Sequence, residues 1–185
     1  MGIRLHDLHH ACLRVLDLDE ATARWSVQFG LEVVAREPGR SLLRADSEDY
    51  CLELVPDAEP DVDHAGWELA EDCTLDEAAA HLDACGVAYD REGDGTLRLH
   101  DPSGRGLQIL PFRERTAIET WPDAGRRNDP PFGMHPRRLG HVNVLAPNMD
   151  EMTAFYTDVM GMHISDRLGE AGIWFHVHPE HHQMA

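Results

Sequence analysis

The chain has 185 residues, 42% of them hydrophobic, and a formal charge of -18 at pH 7. The hydrophobic share and four tryptophans exclude a disordered polymer, and the length suffices for one or two cores. All 16 basic residues are arginine, so no lysine cluster can follow a phosphate backbone and nucleic acid is not an expected partner. The lysine-free, acidic composition fits either a GC-rich coding sequence or a surface kept hydrated in high salt.

The N-terminal stretch MGIRLHDLHH has no apolar segment of the signal-peptide type, and no run approaches the about 18 apolar residues of a membrane helix. A cytoplasmic protein without a membrane partner is expected. An alternating run, LHHACLRVLD, then leads to Asp17 with Glu20 three positions on, which marks a helix start. Ala21, Trp25 and Phe29 recur at helical spacing, and Gly30 supplies the stop before a second alternating run, LEVVARE. SLLRAD and CLELVP read as two more strands. The pattern then returns: HAGWELAED, Thr74 with Glu77 as a capping box, Leu75, Ala78, Ala79 and Leu82 on one face, Gly86, then VAYDRE, TLRLHD and RGLQILPF. Asp101-Pro102-Ser103-Gly104 predicts a type I turn between the last two strands. Residues 5–112 therefore predict two βαβββ units. Cys12, Cys51, Cys73 and Cys85 form no CxxC pair and predict free thiols in a reducing compartment.

Residues 113–138 lose this periodicity, carry four prolines and read as a linker. A third copy follows: LGHVNVLAPN, Asn148 with Glu151, then Met152, Phe155, Tyr156 and Val159, Gly161, MHISDR and GIWFHVHPE. The first and third copies align at a constant offset of 131, with His10 on His141, Glu20 on Glu151 and Gly30 on Gly161. The closing HPEHHQMA reads as the first strand of a fourth unit cut short. A strand after Pro179 would then lack partners in its own chain, which predicts a homo-oligomer. The fold class is α+β, built of repeated βαβββ units with an incomplete copy at the end.

Strand parity sorts the leading strands. His10, Cys12 and Arg14 oppose Ala11, Leu13 and Val15; His64, Gly66 and Glu68 oppose Ala65, Trp67 and Leu69; His141, Asn143 and Leu145 oppose Val142, Val144 and Ala146. The apolar face suits the amphipathic helix of its own unit, and His9 falls on it. The histidine face is left for the other side of the sheet, where curling would make a cavity.

LGHVNVLAP followed by FYTDVMGM resembles the vicinal oxygen chelate superfamily of glyoxalases, bleomycin-resistance proteins and type I extradiol ring-cleaving dioxygenases. WFHVHPEHHQMA resembles the F-L-H-C-N-x-x-H-H-x-x-A stretch of the extradiol enzymes in particular. The resemblance implies that pairs of βαβββ units close into barrel-like domains. Residues 1–112 would be the N-terminal domain, 113–138 the linker and 139–185 the first half of the C-terminal domain. It further implies cleavage of a small aromatic diol by O₂ at a mononuclear Fe(II), occasionally Mn(II), held by two histidines and a glutamate. His141 and His182 match the two histidines, and the glutamate would come from the last strand of a fourth unit. Such a face leaves positions open for oxygen and a chelating catecholate. The resemblance also implies an acid/base histidine, which the spacing does not place. His176 and His178 share parity and are candidates for a substrate-facing role, whereas His163 carries no argument.

Two other readings stay open. His10 and His64, with Gln108 where the family's D-P-x-G-x-x-x-E places its carboxylate, would make a glyoxalase-like metal site, although extradiol enzymes normally carry no metal in this domain. A bleomycin-resistance-type module would instead hold an aromatic ligand without chemistry.

Overall fold

The structure, a computed structural model, describes residues 2–45, 49–114 and 136–185. It divides into two compact units. The smaller comprises His10–Asp63 and Glu114–Leu139; the larger comprises Met1–His9, His64–Arg113 and Gly140–Ala185. Residues 115–135, most of the expected linker, lie outside the described residues.

In the smaller unit the sheet order is β2 (Glu32–Glu37), β3 (Arg40–Arg44), β4 (Leu52–Pro56) and the part of β1 (Leu5–Val15) from His10 onward. β2 and β3 form an antiparallel hairpin, β3 and β4 are antiparallel, and β4 runs parallel to β1 from Ala11↔Leu52 to Val15↔Pro56. Helix α1 (Leu18–Phe29) begins where the Asp17 side chain accepts from the Glu20 backbone N–H, and ends at Gly30 in the left-handed region, φ 69°. Its Leu18, Ala21, Trp25 and Phe29 pack with Leu13 and Val15 onto Leu43, Leu52 and Leu54. The apolar parity face of the leading strand thus lies under its own helix, as the sequence pattern predicts.

The larger unit repeats the plan. β5 (Asp61–Leu69) pairs in parallel with β8 (Gly106–Leu110), which pairs antiparallel with β7 (Leu97–His100), which pairs antiparallel with β6 (Tyr89–Arg91). Helix α2 (Leu75–Cys85) carries the full Thr74–Glu77 capping box and buries Ala78, Ala79 and Leu82, the residues its spacing selects. Gly104 donates its N–H to the Asp101 carbonyl at 2.9 Å, closing the expected turn. Cys12, Cys51 and Cys73 are buried free thiols and Cys85 is an exposed one. Among the described residues, no helix is long and apolar enough to cross a membrane.

The third copy also lies in the larger unit. Helix α3 (Met149–Ala154) is capped by Asn148, whose side chain accepts from the Glu151 N–H, and continues as a π-helical turn over Phe155–Val159. Thr153 and Thr157 return their hydroxyls to the carbonyls of Met149 and Thr153, at 2.6 and 2.9 Å, a back-bonding that often bends helices. Met152, Phe155 and Tyr156 are buried as expected, with Met160 beside them. β9 (His163–Leu168) and β10 (Gly172–His176) form an antiparallel hairpin.

Two expectations are corrected here. Residues 141–146 do not form a full strand: Val142 makes one parallel bridge to Met184, supported by Val142 N–H to Gln183 O at 3.0 Å and Val144 N–H to Ala185 O at 2.8 Å. The closing residues, in turn, do not open a fourth unit. Met184 bridges Val142 in parallel and Phe175 antiparallel, as Leu52 pairs with Ala11 and Leu43 in the smaller unit. Residues 183–185 thus take the β4 place of the third unit, and the segment after Pro179 finds its partners within the chain. The offset is 131 up to the hairpin and 132 beyond it, because the turn between β9 and β10 is one residue longer than that between β2 and β3. Even the bulges coincide: the ladder skips Val34 in one hairpin and Ser165 in the other.

Candidate metal centre

His141 and His182 stand on neighbouring segments of the larger unit, joined by the bridge just described. Their ring centroids are 4.8 Å apart with planes inclined by 52°. Two imidazoles that bind one ion at right angles, each nitrogen about 2.1 Å from it, have centroids roughly 4.5 Å apart. The spacing therefore suits two nitrogen donors to one ion. His182 is half-buried and His141 exposed. The His182 Nδ1 lies 2.8 Å from the Nδ1 of His181, which leaves its Nε2 edge for a cation. Desolvation pushes the His182 pKa below the usual histidine value, and His141 and His181 push it further down. The ring is accordingly held neutral, the form that ligates metal. Among the described residues, no third histidine, cysteine or carboxylate offers a donor atom within 4.8 Å of both rings' nitrogens at once.

The fold supports this site from behind. The Tyr156 hydroxyl donates to Asp101 Oδ2 at 3.0 Å in a buried bond, while Asp101 Oδ1 accepts from the backbone N–H groups of Ser103 and Arg105. His81 Nε2 meets the Val159 carbonyl at 3.1 Å, and an Arg105 guanidinium nitrogen donates to the Leu145 carbonyl. These bonds hold the third copy onto the second within the larger unit. Between α3 and β10 lies a cleft of about 270 Å³, lined by Val144, Met149, Met152, Tyr156, Ile173 and Met184 among others.

Residues 138–185 match the model of the Glyoxalase/Bleomycin resistance protein/Dioxygenase superfamily. The chain is 28% identical over 192 residues to a manganese-dependent 2,3-dihydroxybiphenyl 1,2-dioxygenase of Geobacillus genomosp. 3, covering 95% of this chain and 61% of that protein. It is 30% identical over 161 residues to an iron-dependent extradiol dioxygenase of Rhodococcus jostii, covering 76% of this chain and 51% of that one. The chain belongs to the glyoxalase/bleomycin resistance/dioxygenase superfamily. The crystal structure of a 2,3-dioxygenase from Pseudomonas sp. KL28 superposes on the whole chain and 70% of that protein, with a TM-score of 0.80 at 22% identity, which establishes the α+β superfamily fold. The chain spans about half to three-fifths of the length of these two curated relatives.

His10 is the counterpart of His141, and the corrected offset puts Tyr50, not His64, at the place of His182. His10 and Tyr50 have ring centroids 4.8 Å apart, the same separation as His141 and His182. His10 is fully buried, and its Nε2 lies 3.8 Å from Glu53 Oε2, while Arg40 Nε binds the other carboxylate oxygen at 2.7 Å. Sequence reasoning missed Tyr50 and Glu53, because the one-residue lengthening of a turn hid the equivalence. His64 lies buried on β5 of the larger unit. Gln108, one strand over on β8, donates its amide to Glu92 at 2.6 Å and Thr96 at 3.2 Å.

Proposed function

We propose that this protein is an extradiol-type ring-cleaving dioxygenase that opens a small catecholic aromatic with O₂ at Fe(II) or Mn(II). The observation that carries the reading is the His141–His182 pair, two neutral-capable imidazoles with centroids 4.8 Å apart. The names of the two curated relatives, one manganese-dependent and one iron-dependent, support the reaction class and leave the choice of metal to measurement.

His141 and His182 would hold two sites of the ion, and the carboxylate of a two-histidine, one-carboxylate face would come from outside the described residues. The bound ion would bring catecholate and oxygen together and lower the cost of the anionic diol. The chain's own contribution is orientation. His182 is fixed by His181 on one edge and by the pairing of residues 183–185 with Val142 and Phe175 behind it. Its depressed pKa keeps a lone pair available at neutral pH, for the ion or for a proton of the diol.

The test is oxygen uptake with a panel of catechols, on the protein carrying whatever follows Ala185 in its reading frame and supplied with Fe(II) or Mn(II). Ring-cleaved product in the wild type, absent in His141→Ala, is expected. His182→Ala that loses both metal and turnover identifies a ligand; one that keeps metal and loses turnover makes His182 the acid/base residue. A protein that binds catechols without consuming oxygen is a binding module, and the proposal fails.

A further inference from the structure

The β9–β10 hairpin carries a second histidine pair, distinct from the candidate metal centre. His163 and His176 are direct cross-strand partners, with ring centroids 5.6 Å apart and planes inclined by 39°. The bulged residue between them, Ser165, places its hydroxyl 2.6 Å from His176 Nδ1. That bond fixes the ring at Nδ1 and leaves Nε2 as the nitrogen for an ion, the arrangement in which a protein orients an imidazole ligand through its other nitrogen. His163 is exposed and His176 half-buried, so an ion in solution can reach both.

The repeat shows what this position normally holds. At the offsets of 131 and 132, His163 and His176 correspond to Glu32 and Arg44. Those residues are also cross-strand partners and form a salt bridge at 2.9 Å. The same slot in the smaller unit is thus neutralised by opposite charges. Replacing both members with imidazoles removes that attraction. A cation shared by the two rings restores what the Glu32–Arg44 pair supplies. Two imidazoles with centroids roughly 5.5 Å apart span an ion at an angle near 120° for nitrogen–metal distances of about 2.1 Å, which suits the open geometries of Zn²⁺.

We infer that His163 and His176, with Ser165 orienting the latter, form a surface binding site for a borderline divalent cation of the Zn²⁺ or Cu²⁺ class, separate from the His141–His182 centre. The inference does not depend on the dioxygenase reading. His178 lies beyond the pair and is held by Asp7 at 3.1 Å, so the site relies on two protein nitrogens and completes its coordination with water. An ion here ties the ends of β9 and β10 together just before the segment that carries His181 and His182.

The experiment is equilibrium dialysis of the full chain against Zn²⁺, with elemental analysis, for the wild type, His163→Ala, Ser165→Ala and His141→Ala. His163 is exposed and its loss does not threaten the fold. The expected result is that His163→Ala loses one equivalent of zinc or weakens one site at least tenfold, that Ser165→Ala weakens the same site severalfold, and that His141→Ala retains it. Equal zinc binding by the wild type and His163→Ala overturns the inference. So does a loss confined to His141→Ala, which would assign the zinc to the other centre.

Discussion

The smaller unit and the third copy within the larger unit are the same βαβββ plan put to different uses. Both place a histidine on the leading segment and an aromatic or imidazole ring 4.8 Å from it, two residues before the residue that pairs with that segment. In the smaller unit that second ring is Tyr50, and His10 is fully buried beside a Glu53 carboxylate already held by Arg40. In the larger unit it is His182, and the pair is open to solvent and free of a neighbouring carboxylate among the described residues. One scaffold position thus holds a buried histidine beside an arginine-paired carboxylate in one copy and a more exposed pair of imidazoles in the other. A repeat supplies geometry, and the identity of a few side chains decides whether that geometry does chemistry.

The comparison can be broken most forcefully at the helix-ending glycines. Gly161 and Gly86 have nearly the same left-handed φ, 69° and 70°. A Cβ on Gly161 would lie 2.3 Å from the Ile3 carbonyl oxygen, whereas one on Gly86 meets nothing within 4 Å. Gly161→Ala should therefore cost about 3 kcal/mol or more, and Gly86→Ala about 1 kcal/mol, the conformational cost alone. Urea denaturation of the two variants measures the difference, and equal losses would show that Gly161 does not approach the Ile3 carbonyl this closely.

Glu53→Gln should cost about 2 kcal/mol, because it breaks the pair with Arg40 in a nearly buried setting, and should leave metal affinity of the His141–His182 centre unchanged. A change in that affinity would mean that the two ring pairs are not independent. Tyr156→Phe should cost about 1–2 kcal/mol through the lost bond to Asp101, read by thermal denaturation. Burial, with Asp101 beside it, raises the Tyr156 pKa far above its ordinary value. The unfolded chain ionises this phenol near about pH 10, so its contribution is intact below that pH and falls as the pH rises further. Tyr156→Phe should flatten that alkaline loss. The smallest effect belongs to the helix caps: Thr74→Ala removes the acceptor for the Glu77 N–H and should cost about 1 kcal/mol.

The sequence pattern reveals much of this architecture because caps, glycine stops and alternation are local. Asp17, Thr74 and Asn148 cap their helices, and Gly30, Gly86 and Gly161 end them, as composition and spacing require. His10, His64 and His141 fall on leading segments for the same reason. What stayed hidden depended on pairing across the chain. The offset of 131 is legible in the sequence and the added residue in one turn is not, which makes the segment with His182 look like the start of a new unit. Only the bridges of Met184 to Val142 and Phe175 reveal that its counterpart is Tyr50. The Tyr156–Asp101 bond joins residues 55 positions apart, and neither residue announces the other. The His163–His176 pair needed the bulge at Ser165 to acquire a meaning.

The division of labour between the two ring pairs is tested most directly by metal affinity. Fe(II) and Mn(II) binding should be measured by competition with a chelator on the wild type, His141→Ala and Tyr50→Phe, each carrying whatever follows Ala185 in its reading frame. The account predicts that His141→Ala loses at least about a hundredfold in affinity, beyond the range of an outer-sphere change, while Tyr50→Phe binds like the wild type. Undiminished binding by His141→Ala, or a comparable loss in Tyr50→Phe, would contradict it.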